Sequence, residues 1–338
     1  GLPGTVEENP DGGLRVAVEN TALGKIEFFD LDMLVLAVGM NPSNSTRTLQ
    51  EMLGLQLTSD GFFLEAHPKL LPVDAATRGV FYAGCAEGPK DIKESVTQAS
   101  AAAARAIRLM HKGEILTDPI TSEVIAEKCK SCGKCAEVCP YNAITVDVNK
   151  KTPATVNTAA CAGCGTCAAE CAFDAILMNH FTDRQILDQV DALLTEKPEE
   201  KILAFACNWC SYAGADYAGV SRCQYPPNVR LIRTMCSGRV DEKFIWDGFL
   251  KGVPVILVSG CHIGDCHYID ANKWTEKRVQ KVHKKMLKLG IRTERLQLEW
   301  ISAAEGIRFS AVMHGLEALR KGVTAEEISE TIRILIKV

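Results

Sequence analysis

The sequence predicts a multidomain chain of mixed α/β and α+β class, in which a small cysteine-rich domain separates two α/β segments. Two observations carry this expectation. Two runs of four cysteines share one spacing, Cys129-x2-Cys132-x2-Cys135-x3-Cys139 and Cys161-x2-Cys164-x2-Cys167-x3-Cys171. On either side of them, apolar runs of strand length alternate with longer helical patterns, the signature of sheets crossed by helices. The 338 residues suffice for two or three domains.

Composition narrows the function classes. Hydrophobic residues make up 47% of the chain, enough for real cores. A net charge of −4 provides no basic field, so no nucleic acid partner is expected. No run approaches the roughly 18 apolar residues of a bilayer crossing, so no transmembrane segment is expected. Gly1-Leu2-Pro3-Gly4 does not begin a secretory signal, and without an initiator Met the chain reads as a processed or incomplete piece. Fifteen cysteines, many in C-x2-C arrays, point to metal binding in a reducing compartment. The expected location is cytoplasmic, or peripheral to a membrane complex.

Residues 1–118 read as α/β. Val16 and Val18 on one side, and Ile26–Phe29 on the other, suggest antiparallel strands around a Thr21–Lys25 turn. Asp32–Gly39 is an apolar run ending in Gly, the pattern of a buried parallel strand. Gly79–Gly84 is a second run, followed by Cys85, a polar loop and an Ala-rich helix over Ser95–His111. Strand, glycine, loop and helix start suit a phosphate or flavin edge, because free N–H groups and the helix dipole favour an anion or carbonyl oxygen there. On residue physics alone, an ordinary α/β strand–helix unit is the better reading.

Leu36–Pro42 and Gly79–Gly84 resemble the closing segments of two-dinucleotide-fold flavoproteins such as thioredoxin reductase. Ala83–Ile92 with Ser95–Ala99 resembles the A subunit of heterodisulfide reductase. The resemblance implies a partial flavoprotein segment in which Gly84, Cys85 and the Gln98-Ala99 backbone at the helix start contact FAD. Cys85 stands where most such flavoproteins carry an Asp, and a lone cysteine at a strand end is more often buried filler than a cluster ligand. No G-x-G-x-x-G follows a first strand, so the pyrophosphate site is lacking. The segment would supply one wall of the FAD site, the rest lying on a missing N-terminal portion or a separate chain.

Residues 119–185 begin where Asp118-Pro119 interrupts the helix region. The unit is an internal repeat: Cys129 matches Cys161, Cys139 matches Cys171, and Ala143-Ile144 matches Ala175-Ile176. C-x2-C-x2-C wraps one corner of a cubane, and the loop N–H groups offset thiolate and sulfide charge. The spacing resembles that of bacterial two-cluster ferredoxins, in which the fourth cysteine of each run crosses over. One [4Fe–4S] cluster is then expected on Cys129, Cys132, Cys135 and Cys171, and a second on Cys161, Cys164, Cys167 and Cys139. The fourth cysteine is expected to start a helix. Pro140 follows the ferredoxin pattern and Ala172 replaces the second proline. Structural zinc fits poorly, because its ligands usually come in pairs from separate knuckles.

After the polar linker Lys197–Glu200, residues 200–338 alternate strands and helices. Strands are expected over Lys201–Ala206, Val229–Met235, Val253–Ser259 and Arg295–Trp300. Helices are expected over Asp241–Lys251, Ala271–Leu289 and Ala303–Lys321. This is a doubly wound parallel sheet, which binds ligands at the carboxyl ends of its strands. Cys207, Cys236 and Cys261 occupy those ends, with Cys210 and Cys266 just beyond. The residues leave three options open: a [2Fe–2S] cluster on four of the five thiols, a Cys207/Cys210 dithiol after a strand, or zinc with His262 and His267. Cys223 reads as an ordinary buried residue. The basic helix bearing Lys273, Lys277, Arg278, Lys281, Lys284, Lys285 and Lys288 suits a solvated face or a dock for an acidic partner.

Cys207–Asp216, Met235–Arg239 and Gly260–Tyr268 resemble the delta (iron–sulfur) subunit of F420-non-reducing hydrogenase. The resemblance selects the [2Fe–2S] option. It implies a relay between a hydrogenase or formate dehydrogenase module and other heterodisulfide reductase-type subunits, with electrons split at FAD. The fusion is also similar to the B subunit of the quinone-interacting membrane-bound oxidoreductase complex. No residue is expected as acid, base or nucleophile in such a relay. The rival from another class is a thiol–disulfide oxidoreductase centred on Cys207 and Cys210.

Overall fold

A computed structural model describes every residue except 68–69, 112, 114–117 and 338. The chain divides into two compact units, Gly1–Asn41 and Pro42–Val338. In the first, β1 (Pro3–Glu8), β2 (Leu14–Asn20) and β3 (Lys25–Leu31) form an antiparallel meander. Val16 lies opposite Phe29 and Val18 opposite Glu27, and the β2–β3 turn closes through Gly24 at φ 61°. The strand expected over Asp32–Gly39 does not form. Val35 and Val38 are each 82% exposed. A continuous apolar run becomes a strand only when flanking strands pair with it and layers cover it, and among the described residues no strand pairs with this one.

In the second unit, α1 (Thr46–Leu53) ends at Gly54 in the left-handed region, φ 62°. The run Gly79–Gly84 contributes only an isolated antiparallel bridge, Phe81 to Asp74, in place of the expected strand. With no neighbouring strand among the described residues to extend the ladder, it folds back on a local cluster of Leu55, Phe63, Ala75 and Tyr82. α2 (Ile92–His111) begins earlier than expected because Asp91 caps it, accepting the Glu94 N–H at 2.6 Å.

The cysteine-rich domain contains β4 (Ser122–Val124), α3 (Lys134–Glu137), β5 (Ile144–Thr145), β6 (Thr155–Val156), α4 (Thr166–Ala169) and β7 (Ile176–Met178). β4 pairs with β7 and β5 with β6, both antiparallel. Each half runs from cysteine loop to short helix to strand. Cys139 and Cys171 follow the helices rather than start them, because only one turn fits between the third and fourth cysteines. Next comes α5 (Asp183–Leu194), a helix outside the sequence-based expectation; Thr182 and Gln185 close its first turn as a capping box. Ile186, Val190 and Leu194 form an i, i+4 stripe buried in the core of the following domain.

That domain contains β8 (Ile202–Cys207), α6 (Ser211–Val220), β9 (Val229–Thr234), α7 (Glu242–Leu250), β10 (Val255–Gly260), α8 (Ala271–Lys288), β11 (Leu296–Trp300), α9 (Gly306–Lys321) and α10 (Ala325–Ile336). The strands are all parallel in the order β11-β10-β8-β9. Strand alternation builds the two faces. Leu203 and Phe205 pack with α5, α7 and α8, whereas Ile202 and Ala204 pack with α6 and α9. Helices on both faces make the sheet doubly wound. Its connections reverse direction between β8 and β10, the place where such sheets bind ligands.

The cysteine-rich domain is clamped to this sheet domain. The buried Arg278 guanidinium reaches Glu170 at 2.6 Å and donates to the Gly238 and Val240 carbonyls at 3.2 and 2.7 Å. Arg239, 1% exposed, donates to the Phe181 carbonyl at 3.0 Å and pairs with Asp183. Lys243 reaches Asp174 at 2.5 Å. The approach needs two glycines. A Cβ at Gly165 would lie 2.6 Å from Arg239 Cδ, and one at Gly238 would lie 2.4 Å from Thr166 Oγ1. Gly238→Ala is therefore expected to destabilise the clamp by about 1–3 kcal/mol, as overpacking does, read as a lowered unfolding midpoint.

Candidate metal centres

The cysteine-rich domain encloses two thiol-lined cavities. The first is lined by Cys129, Cys132, Cys135 and Cys171 together with Val124, Val146 and Ile176. The second is lined by Cys139, Cys161, Cys164 and Cys167 together with Val138, Tyr141 and Ile144. Cys171 thus joins the first run and Cys139 the second, because each short helix carries its last cysteine across the domain. The loops turn through left-handed residues: Ser131 at φ 53°, Gly133 at 81°, Gly163 at 78° and Gly165 at 76°.

Backbone donors point at the sulfurs. Ser131 and Ala154 N–H groups lie 3.5 Å from Cys129 Sγ, and the Ala175 N–H lies 3.4 Å from Cys171 Sγ. Burial pushes the Cys135 thiol up to about 11 and the Cys164 thiol up to about 12, with Cys167 raised further. Bare thiolates are therefore disfavoured here, and the cysteines stay protonated unless a cationic group binds them. Thiols ringing an apolar volume, with N–H groups aimed at sulfur, suit a cluster.

Gly163 is the tightest point of the second loop, where an added Cβ would lie 2.3 Å from the Ile120 carbonyl oxygen. Gly163→Ala is expected to reduce metal loading of the second cavity while the first still loads. Iron counting on the purified variant checks it.

The second group of thiols sits at the switch point of the sheet. Cys207 ends β8 and Cys261 follows β10, their sulfurs 3.9 Å apart. Cys236 follows β9, and the loop after Cys261 brings Cys266 back. These four are at most 1% exposed and close a ring, each of Cys207 and Cys266 hydrogen-bonded to both Cys236 and Cys261. Those hydrogen bonds hold Cys207 and Cys266 below the ordinary thiol range and raise the two donors. The Gly238 N–H lies 3.3 Å from Cys236 Sγ. Cys210, half-buried at the start of α6, lies outside the ring and joins it through Cys261.

Neighbouring side chains are otherwise engaged. His267 stacks on Trp209 at 3.8 Å, and the Trp209 indole N–H donates to the Tyr268 hydroxyl at 3.0 Å. His262 Nε2 meets Glu305 Oε2 at 2.6 Å. The Ser302 N–H and His262 hold that carboxyl down to about 2. Cys223 packs half-buried in the core beside α6 and α9. The basic helix is partly used internally, with Arg278 in the clamp and Lys285 at 2.8 Å from Glu242.

The residues expected at FAD divide. Gly84, at φ 65°, opens a 3-10 turn, and Cys85 is exposed rather than buried, its thiol 3.7 Å from the Lys90 carbonyl. Gln98 is half-buried and donates to Glu87, while Ala99 is exposed. Because α2 starts at Ile92, the Gln98 and Ala99 N–H groups lie inside the helix ladder and are not free for a ligand. No residue of α2 is buried, and Ile92, Val96 and Met110 are 62–85% exposed.

Comparison with known proteins separates the two parts of the chain. Residues 202–321 match the methyl-viologen-reducing hydrogenase delta subunit family, and residues 128–175 match a 4Fe-4S dicluster domain. The A subunit of ferredoxin:CoB-CoM heterodisulfide reductase from Methanosarcina mazei is 45% identical over 301 residues, covering 89% of this chain and 38% of the relative. The iron-sulfur D subunit of the F420-non-reducing hydrogenase vhc from Methanococcus voltae is 47% identical over 123 residues, 36% of this chain and 85% of the relative. The corresponding iron-sulfur D subunit from Archaeoglobus profundus is 45% identical over 125 residues, 37% of this chain and 91% of the relative. The chain spans well under half the length of the heterodisulfide reductase relatives. Through residues 202–321 it belongs to the family of hydrogenase iron–sulfur delta subunits, and over 89% of its length it is similar to the A subunit of heterodisulfide reductase.

Proposed function

We propose that this chain is an electron-transfer part of a heterodisulfide reductase-type complex, an oxidoreductase that acts on sulfur groups. One observation carries the reading: Cys164, in the wall of the second cavity, packs against the buried cluster in which Cys236 and Cys266 of the thiol ring sit with Tyr268 and Ala271. In this reading, Cys129, Cys132, Cys135 and Cys171 hold one [4Fe–4S] cluster. Cys139, Cys161, Cys164 and Cys167 hold the other. Cys207, Cys236, Cys261 and Cys266 hold a [2Fe–2S] cluster, and Cys210 is not a ligand. When bound, the clusters supply one-electron chemistry. The residues of this chain hold them in the order thiol ring, second cavity, first cavity, and the first cavity reaches the surface at the exposed Cys132. The donor in this reading is a hydrogenase or formate dehydrogenase module; the names of the delta-subunit relatives favour the hydrogenase. Gly84 and Cys85 would form part of one wall of an FAD site completed by another segment or chain, without the Gln98–Ala99 backbone, which the α2 ladder already uses. There electrons could divide between two acceptors.

Serine variants test the ligand set. Cys236→Ser is expected to lose the [2Fe–2S] EPR signal and about two irons, whereas Cys210→Ser keeps both. The reverse pattern would overturn the assignment.

A further inference from the structure

Between the second cavity and the thiol ring lies an aromatic pair with no part in the cysteine motifs. Tyr141 follows Cys139-Pro140 and lines the second cavity with Cys139, Cys161, Cys164 and Cys167. The same ring packs against the buried cluster of Cys236, Cys266, Tyr268 and Ala271, so it faces both sites at once. Tyr268 approaches from the other side. It is 3% exposed, and its hydroxyl accepts the Trp209 indole N–H at 3.0 Å, which fixes the ring at the end of the Cys261–Cys266 loop. Ala162, the small residue before Gly163, completes the contact. The Arg278–Glu170 and Arg239–Asp183 pairs hold the two walls of this gap in one frame.

We infer that Tyr141 and Tyr268 are positioning residues of an electron-transfer junction between the Cys164 side of the second cavity and the Cys236/Cys266 side of the thiol ring. This rests on the relay reading above. Two aromatic rings between the sites are rigid, largely apolar matter, which fixes the separation of the two sites and limits reorganisation around them. One electron leaves the iron on one side and one is gained on the other, with no bond made or broken. The rings are not oxidised in the step. Their contribution is shape, so phenylalanine should replace Tyr141 and alanine should not.

The test uses the full chain, purified anaerobically with its clusters, as wild type, Tyr141→Phe, Tyr141→Leu and Tyr141→Ala. Iron and sulfide are counted first. Freeze-quench EPR then follows electron transfer between the reduced [2Fe–2S] and [4Fe–4S] signals after a pulse of one-electron reductant, and deuterium exchange seen by pulsed EPR reports water at the clusters. Tyr141→Ala is expected to keep its irons, admit exchangeable deuterium near the second cluster and slow the internal transfer by about tenfold or more, the scale of rate lost when reacting groups are misplaced. Tyr141→Leu falls between, and Tyr141→Phe matches wild type. If Tyr141→Ala or Tyr141→Leu, with irons intact, transfers as fast as wild type, the junction is wrong while the relay stands. A wild-type chain without a [2Fe–2S] signal would overturn both.

Discussion

Arg278→Ala is expected to lower the stability of the chain by about 3 kcal/mol, at the low end of the cost of breaking a buried ion pair. The low end applies because Glu170 is 21% exposed and can recover some hydration, whereas Arg278 is only 4% exposed. The loss has three parts: the Glu170 carboxylate, the Gly238 carbonyl and the Val240 carbonyl all lose their donor. These groups lie on both sides of the contact between cysteine-rich and sheet domains. The unfolding transition should therefore split, with the cysteine-rich domain melting first. Anaerobic denaturant unfolding, followed separately by cluster absorbance and tryptophan fluorescence, checks this. A single unshifted transition would mean that the clamp does not hold the domains together.

Cys164→Ala should have the larger effect on chemistry. Cys164 both lines the second cavity and packs against the buried cluster that holds Cys236 and Cys266. Alanine is small and apolar, so the fold should persist, but one thiolate of four is gone. About four irons should be lost with the second cluster. The [2Fe–2S] signal should remain reducible by a small-molecule donor, and the first-cavity cluster should no longer be reduced through it. If the first cluster is still reduced at the wild-type rate through the thiol ring, the order of sites is wrong.

The cysteine spacing made the two four-cysteine groups legible, because a run of fixed short gaps has few foldings. The sheet was legible for a similar reason: Ile202 to Cys207 alternates between two faces and ends in a thiol. What escaped depends on long-range packing. Arg278 and Glu170 are far apart in sequence, and a basic helix gives no sign of which of its cations will be buried. No element was expected over α5, although its Ile186, Val190 and Leu194 stripe was there to be found. The ring of four thiols could not be told from the fifth by spacing, since Cys210 differs from Cys207 only in where the turn into α6 leaves it. The runs Asp32–Gly39 and Gly79–Gly84 misled in the opposite way. Their apolar pattern describes the strand they form when covered and paired, and here nothing described pairs with them as a strand.

The most direct measurement of the relay is metal and sulfide content with EPR of the reduced, anaerobically purified chain. About ten irons with matching sulfide are expected, eight from two [4Fe–4S] clusters and two from a [2Fe–2S] cluster, with both signal types present. About eight irons with a titratable Cys207/Cys210 disulfide, or zinc with little sulfide, would contradict it.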